Sequence, residues 1–126
     1  MTWRSLLCAF GFALAAGHQP SAHHSFAAEF DAARLLTLQG TIVKLEWANP
    51  HVYLWIDVRS AAGAVEHWGL ELPPPNALSR RAVQRGMLKP GDAITVTAFP
   101  ARNGRTFGNA QTLVLKSGQK IEARRP

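Results

Sequence analysis

The chain has few cysteines, few acidic residues and no long apolar run, and each shortage excludes a class of protein. Its 126 residues include one cysteine, so an internal disulfide framework and a cysteine-built zinc finger are excluded. No apolar run approaches the roughly 20 residues of a membrane-spanning helix. Eight acidic residues stand against 14 basic ones, which gives a formal charge of +6. With 47% apolar residues, the composition predicts one globular domain rather than a disordered chain.

Recognisable catalytic motifs are also missing. No serine or cysteine lies in a nucleophile elbow, and the sequence contains no glycine-rich phosphate loop, HExxH motif or paired CxxC motif. Asp57 and Glu71 could be proposed as an acid–base pair, but a barrel of this size leaves little interior for a catalytic cleft. The sequence therefore predicts a protein that is not an enzyme.

Residues 1–22 have the pattern of a secretory signal peptide. A short basic start precedes an apolar run that contains Cys8, and small residues follow it. Cleavage after Gly17 or after Ala22 fits these small residues, and either one removes Cys8. We expect a periplasmic or secreted protein with no transmembrane segment after the leader is removed. Outside the cytoplasm, the positive charge favours anionic lipid, polysaccharide or an acidic protein over nucleic acid.

Strand patterns dominate the chain after the leader. Apolar residues alternate from Leu36 to Trp47, but the alternation changes phase after Ile42, close to Gly40, which predicts a long first strand with a bulge or a sharp bend. Clean alternation on both sides of a loop at residues 60–64 predicts a hairpin. Two further strands are predicted around residues 93–99 and 111–115.

The order of these elements predicts an all-β fold with one short helix, a five-stranded OB-like barrel. A helix from Ala77 to Arg85, capped by Asn76, falls between the third and fourth strands, where this type of barrel carries one. A small β-sandwich is the alternative fold. We predict one domain over residues 23–122, followed by a loose tail at residues 123–126.

The predicted hairpin collects chemically active side chains on one face of the second and third strands. If Arg59 pairs with Val65, Asp57 lies opposite His67. Further along the strands, Trp55 then lies opposite Gly69, and Tyr53 lies opposite Glu71. This face is the usual binding surface of an OB-type barrel, so we predict a module that binds a small ligand, a metal ion or a peptide. Cross-strand packing without a function is the alternative. The predicted ligand-binding residues are His51, Tyr53, Trp55, Asp57, His67 and Glu71.

Two neighbouring histidines stand at the predicted start of the processed chain. His23 would become the new N-terminus after cleavage at Ala22, and its amine and imidazole could chelate one metal ion. His24 or His51 would then complete a nitrogen-rich site, which suits copper(II) and can also hold zinc. Periplasmic copper or zinc handling is therefore a second hypothesis, and a flexible polar leader without a metal is the alternative.

Four basic residues are grouped on the predicted helix and its exit. They could dock the protein to a larger exported or membrane-bound complex, as an accessory subunit. Solubility and favourable charge at a helix end are the alternative explanation. These residues are Arg80, Arg81, Arg85 and Lys89.

Several segments resemble an uncharacterised family of short exported proteobacterial proteins, a domain of unknown function. The similar segments are residues 23–31 (HHSFAAEFD), 46–51 (EWANPH), 75–81 (PNALSRR) and 88–92 (LKPGD), and the resemblance runs from about His23 to Ile121. It implies a secreted or periplasmic small β-barrel and supplies no catalytic residues. The prolines at residues 73–75 depart from the family pattern.

Overall fold

A computed structural model describes residues 26–124, which form six strands and three short helical segments. The strands are β1 (Leu36–Glu46), β2 (Val52–Arg59), β3 (Val65–Leu72), β4 (Ala93–Pro100), β5 (Phe107–Val114) and β6 (Lys120–Glu122). The helices are α1 (Phe26–Glu29) and α2 (Pro75–Ser79), and Arg85–Met87 form one turn of 3₁₀ helix. No helix within residues 26–124 has the length and apolar character needed to cross a membrane.

The first five strands close into a barrel. The sheet order is β3-β2-β1-β4-β5-β6, and a further parallel pairing between β3 and β5 joins the two sides. Gly69 pairs with Phe107 in this closing ladder, and Glu71 pairs with Asn109. The first strand is long enough to pair with β4 through its first half and with β2 through its second. The predicted OB-like barrel is therefore confirmed, with β6 as an additional strand beside β5.

The barrel interior is filled by the alternating apolar side chains of the strands. Leu54 of β2, Leu70 of β3 and Val96 of β4 are each fully buried. The connection between β3 and β4 adds Leu78 and Val83 to the same cluster. Because period-two alternation places the apolar residues of each strand on one face, closing the sheet brings those faces together and removes them from water.

The predicted irregularity in the first strand is a β-bulge. The pairing of β1 with β2 shifts register between Ile42 and Lys44, and Val43, the residue in between, is 50% exposed. Ile42 is buried before the bulge, and Leu45 packs against the core after it. One extra residue therefore explains the change in apolar phase along this strand.

The helix prediction was wrong in its bounds and in its cap. The observed helix α2 ends at Ser79, and Pro74 occupies the N-cap position, so Asn76 lies within the first turn. Pro75 is suited to the first helical position because its ring fixes φ. The chain leaves the helix through Ala82, which has a φ of +59° and is exposed rather than buried. This left-handed residue redirects the backbone so that Val83 enters the core.

The predicted loose tail is attached to the barrel for at least two residues. Ala123 is fully buried, and its backbone N–H donates to the Gln111 carbonyl at 2.8 Å. Arg124 forms an ion pair with Glu71 at 3.2 Å. The assignment to a tail was wrong here because the strand β6, which ends at Glu122, returns the chain to the side of β5.

Candidate functional site

The central hairpin has the register predicted from the sequence. Arg59 pairs with Val65, so the other cross-strand pairs fall as expected: Asp57 with His67, Trp55 with Gly69 and Tyr53 with Glu71. The side chains of the predicted site nevertheless do not form one cluster. The Trp55–Gly69 pair separates an exposed pair at one end of the hairpin from a more buried group at the other.

The buried group is centred on the carboxylate of Glu71, whose side chain is 15% exposed. The Oε1 atom accepts hydrogen bonds from Asn109 Nδ2 at 3.3 Å and from Arg124 at 3.2 Å. His51 Nδ1 lies 3.5 Å from the same oxygen. These contacts fix the orientation of Glu71. Asn109 and Arg124 were missed in the sequence because they reach Glu71 only through barrel closure and the return of the chain after β6.

Tyr53 lies beside this carboxylate and faces a negative local field. Burial raises the pKa of the Tyr53 phenol, and the nearby carboxylates of Glu71, Glu29 and Glu46 raise it further. The phenol therefore keeps its proton to a higher pH than an ordinary tyrosine, and in this neutral form it can donate a hydrogen bond. Burial also lowers the pKa of Arg124, and the carboxylate of Glu71 partly offsets that effect.

Two aromatic rings flank Gly69 at the centre of the hairpin. A Cβ atom at this position would lie 2.6 Å from Cζ3 of Trp55 and 2.7 Å from Cδ2 of Phe107. The space above Gly69 is therefore occupied by the protein's own rings. Trp55 Nε1 is buried and has no hydrogen-bond acceptor among the residues that the structure describes.

The exposed end of the predicted site is an Asp57–His67 pair. His67 Nδ1 lies 2.6 Å from Asp57 Oδ1, and the two side chains are 79% and 37% exposed. Such solvent-screened pairs contribute little to stability or binding by themselves.

A segment before β1 folds over the closed side of the barrel. We call residues 26–31 the N-terminal strap. Phe30 is buried and forms a β-bridge with Ala101, and the Asp31 N–H donates to the Pro100 carbonyl at 2.9 Å. Arg102 donates from its backbone N–H to the Glu29 carbonyl and from Nε to the Ala27 carbonyl at 2.7 Å. The strap is thus fixed to the loop that joins β4 and β5.

A groove of about 590 Å³ lies between the strap, the β2–β3 hairpin and the loop at residues 101–106. The rings of Phe30, Phe107 and Tyr53 follow one another along it, with successive centroids 6.2 Å apart. The groove also contains the charged residues Glu29, Glu71, Arg102 and Arg105. We call this space the strap groove. Of the six residues predicted to bind a ligand, only Tyr53 and Glu71 line it.

The strap and the loop were not assigned to the site from the sequence, although two signals were available. Asn103-Gly104 predicts a tight turn between two strands, which places its flanking arginines at one end of the barrel. Phe26 and Phe30 are spaced to face the same way on a helical turn. Neither signal shows which strand face the strap covers.

The predicted metal site cannot be assembled from the described residues. His23 and His24 lie outside them. Within residues 26–124, no group of three or more His, Cys, Asp or Glu side chains could hold a metal ion. His51 is 37% exposed and lies beside Glu71. Copper or zinc binding therefore stays a prediction.

The predicted docking cluster has one member with a structural role. Arg81 donates hydrogen bonds to the backbone carbonyls of Glu122 and Ala123 and so anchors the chain after β6. Arg80, Arg85 and Lys89 are exposed. Docking of these three residues to a larger complex stays a prediction.

The sequence was compared with models of protein families, with curated proteins and with solved structures. A family model matches residues 12–111, which is most of the sequence. The chain belongs to DUF6152, a family of unknown function. The resemblance to an uncharacterised family is therefore confirmed, and DUF6152 membership covers every strand except the last residues of β5 and the short β6. Comparisons with curated proteins and with solved structures gave no match.

Proposed function

We propose that this DUF6152 protein is an exported, non-catalytic module that binds a small organic ligand in the strap groove. The observation that carries the proposal is the position of the groove. It lies against the outer face of β2 and β3 and under the loop between β4 and β5, which is where barrels with this topology bind ligands.

The lining of the groove supports a binding role. Its volume of about 590 Å³ falls within the usual range for small-molecule sites, and aromatic rings form much of its wall. Tyr53 offers a neutral hydroxyl, and Glu71 is held in place by its bonds to Asn109 and Arg124. Aromatic surface with a few fixed polar groups is typical of ligand sites.

The N-terminal sequence supports export, and the hydrogen bonds of the Glu71 carboxylate support a non-catalytic role. The pattern of residues 1–22 favours export. Glu71 is bonded to a guanidinium and an amide, which suits a structural acceptor better than a proton-transferring group.

A ligand screen on the natural protein and on a variant whose groove is blocked tests the proposal. We would measure the thermal stability of the protein with a diverse library of small organic compounds, and repeat the screen on Ala28→Trp. Ala28 is exposed and lines the groove, so the indole should fill the space without disturbing the core. Ala32→Trp, in the exposed turn after the strap, is the matched control.

A bound ligand raises the melting temperature because it stabilises only the folded state. We expect compounds that stabilise the natural protein and Ala32→Trp by several degrees and leave Ala28→Trp unchanged. Compounds that stabilise all three proteins equally, or a screen without any stabilising compound, would contradict a ligand site in this groove.

A further inference from the structure

The strap groove contains charges of both signs. Glu29 of the strap and Glu71 of β3 contribute carboxylates, while Arg102 and Arg105 of the β4–β5 loop contribute guanidinium groups. A groove that selected a simple anion or a simple cation would be expected to concentrate one sign. The mixture of charges around aromatic walls therefore suggests a more specific class of ligand.

Two of these four charges are already engaged within the protein. Glu71 is paired with Arg124 at 3.2 Å and accepts a hydrogen bond from Asn109. Arg102 donates to the Ala27 carbonyl and lies 3.9 Å from the Asp31 carboxylate, so its role is to hold the strap. These contacts leave Glu29 and Arg105 as the groove charges with the fewest internal partners.

The side chains of Glu29 and Arg105 form no ion pair with any residue among positions 26–124. Arg105 lies over the ring of Phe107, with Cζ 5.8 Å from the ring centroid. Stacking on a ring holds the guanidinium plane while leaving its N–H edges available to a carboxylate. Glu29 lines the same groove as the Tyr53 ring, across from the β4–β5 loop that carries Arg105.

We infer that the ligand is an amphoteric molecule with an aromatic or apolar body, such as a free amino acid. Its carboxylate would pair with Arg105, and its ammonium group would pair with Glu29, with the face of the Tyr53 ring adding to the attraction. The apolar body would lie against Tyr53 and Phe107. This inference rests on the proposed function and names its ligand class.

Three probes that share one ring but differ in charge test the inference. We would titrate L-phenylalanine, phenethylamine and 3-phenylpropionate into the full processed chain by calorimetry, and follow backbone amide shifts by NMR to locate each probe. Since one charge-assisted contact is lost with either single-charge probe, each should bind about tenfold more weakly than the amino acid.

Variants separate the two contacts. Arg105→Gln should reduce the affinity for L-phenylalanine to about that for phenethylamine, and Glu29→Gln should reduce it to about that for 3-phenylpropionate. Arg80→Gln and Glu122→Gln remove charges of the same sign at exposed positions outside the groove, and should leave all three affinities unchanged. Urea unfolding of each variant checks that the barrel is intact.

The outcomes show whether only the ligand class is wrong or whether the groove does not bind a ligand at all. Equal affinity for the three probes, or a preference for either single-charge probe, would overturn the amphoteric ligand while leaving the groove as a binding site. The amphoteric ligand is also overturned, and the groove is kept as a binding site, if the library screen finds groove ligands but none of the three probes shifts the amide resonances of the groove. If the library and the probes both fail, the proposed function and this inference fall together.

Discussion

At the scale of single residues, Gly69 is a position where two neighbouring rings leave no room for a side chain. Its hydrogen atom lies where a methyl group would meet the rings of Trp55 and Phe107 at 2.6 Å and 2.7 Å. Both rings are half-buried, so an added methyl group can be accommodated only if at least one of them moves out of its packed position. We expect Gly69→Ala to lower the free energy of unfolding by about 1–3 kcal/mol, measured by urea denaturation.

The control for this substitution is Gly86→Ala. No atom lies within 4 Å of the Cβ position of Gly86. This variant should change stability by less than about 0.5 kcal/mol. Similar losses for both variants would contradict the tight packing assigned to Gly69.

Tyr53 is the only tyrosine in the chain, so its ionisation can be followed directly by phenolate absorbance. Burial and the Glu71 carboxylate hold its pKa above the ordinary value of 10.0. We expect Glu71→Gln to move the titration of Tyr53 towards that value, and Glu122→Gln to leave it in place. A titration unaffected by Glu71→Gln would show that this carboxylate does not act on the phenol.

The same shift predicts how stability depends on pH. The folded state holds the phenol proton more tightly than the unfolded chain, so this contribution is complete below pH 10.0 and is lost as pH rises through the raised pKa. Unfolding measurements across that range should show a steeper loss of stability for the natural protein than for Tyr53→Phe. Parallel curves would contradict the assignment.

At the scale of elements, the N-terminal strap depends on two phenylalanines with different burial. Phe30 is 3% exposed and stacks near Phe107, whereas Phe26 is 40% exposed. We expect Phe30→Ala to cost about 3 kcal/mol of unfolding free energy, and Phe26→Ala to cost clearly less. Amide hydrogen exchange at Asp31 and Arg102, which bond across this contact, should accelerate in Phe30→Ala. Unchanged exchange there would mean that Phe30 does not hold the strap.

Arg81 and Arg80 are adjacent in sequence but differ in their contacts. Arg81 donates to the carbonyls of Glu122, the last residue of β6, and of Ala123, while Arg80 is exposed. Arg81→Gln should destabilise the protein by about 1 kcal/mol and loosen the segment after β6, and Arg80→Gln should have little effect. Equal stabilities would instead favour a surface role for both arginines.

The strands were predictable from sequence, and the helical connection was not. Strands β2, β3 and β4 alternate with period two over eight residues, so their apolar face and the hairpin register follow from local pattern. The strand predicted at residues 111–115 was wrong at its start, because β5 begins at Phe107 and has no regular alternation there. The segment after β3 has no comparable repeat. Its path depends on three prolines, on Ala82 with a positive φ, and on the need to bury both Leu78 and Val83. Tertiary packing therefore decided the end of α2.

At the scale of the whole molecule, the candidate site depends on barrel closure. The pairing of Gly69 with Phe107 joins strands that lie far apart in sequence, and it brings Phe107 and Asn109 to the β2–β3 face. Cross-strand partners within the hairpin could be predicted because a short loop fixes their register. The groove could not, because two of its walls come from the strap and from the β4–β5 loop.

The most direct test of the account is to locate a bound compound. We would take the strongest compound from the thermal screen and measure its effect on the backbone amide resonances of the isotope-labelled protein. The account predicts that the largest shifts fall on Tyr53, Glu71, Arg105 and Phe107. The barrel has another groove, which is lined by Ile42, Met87, Leu115 and Lys116. If the largest shifts fall on those residues, the ligand does not bind in the strap groove and the central claim is contradicted.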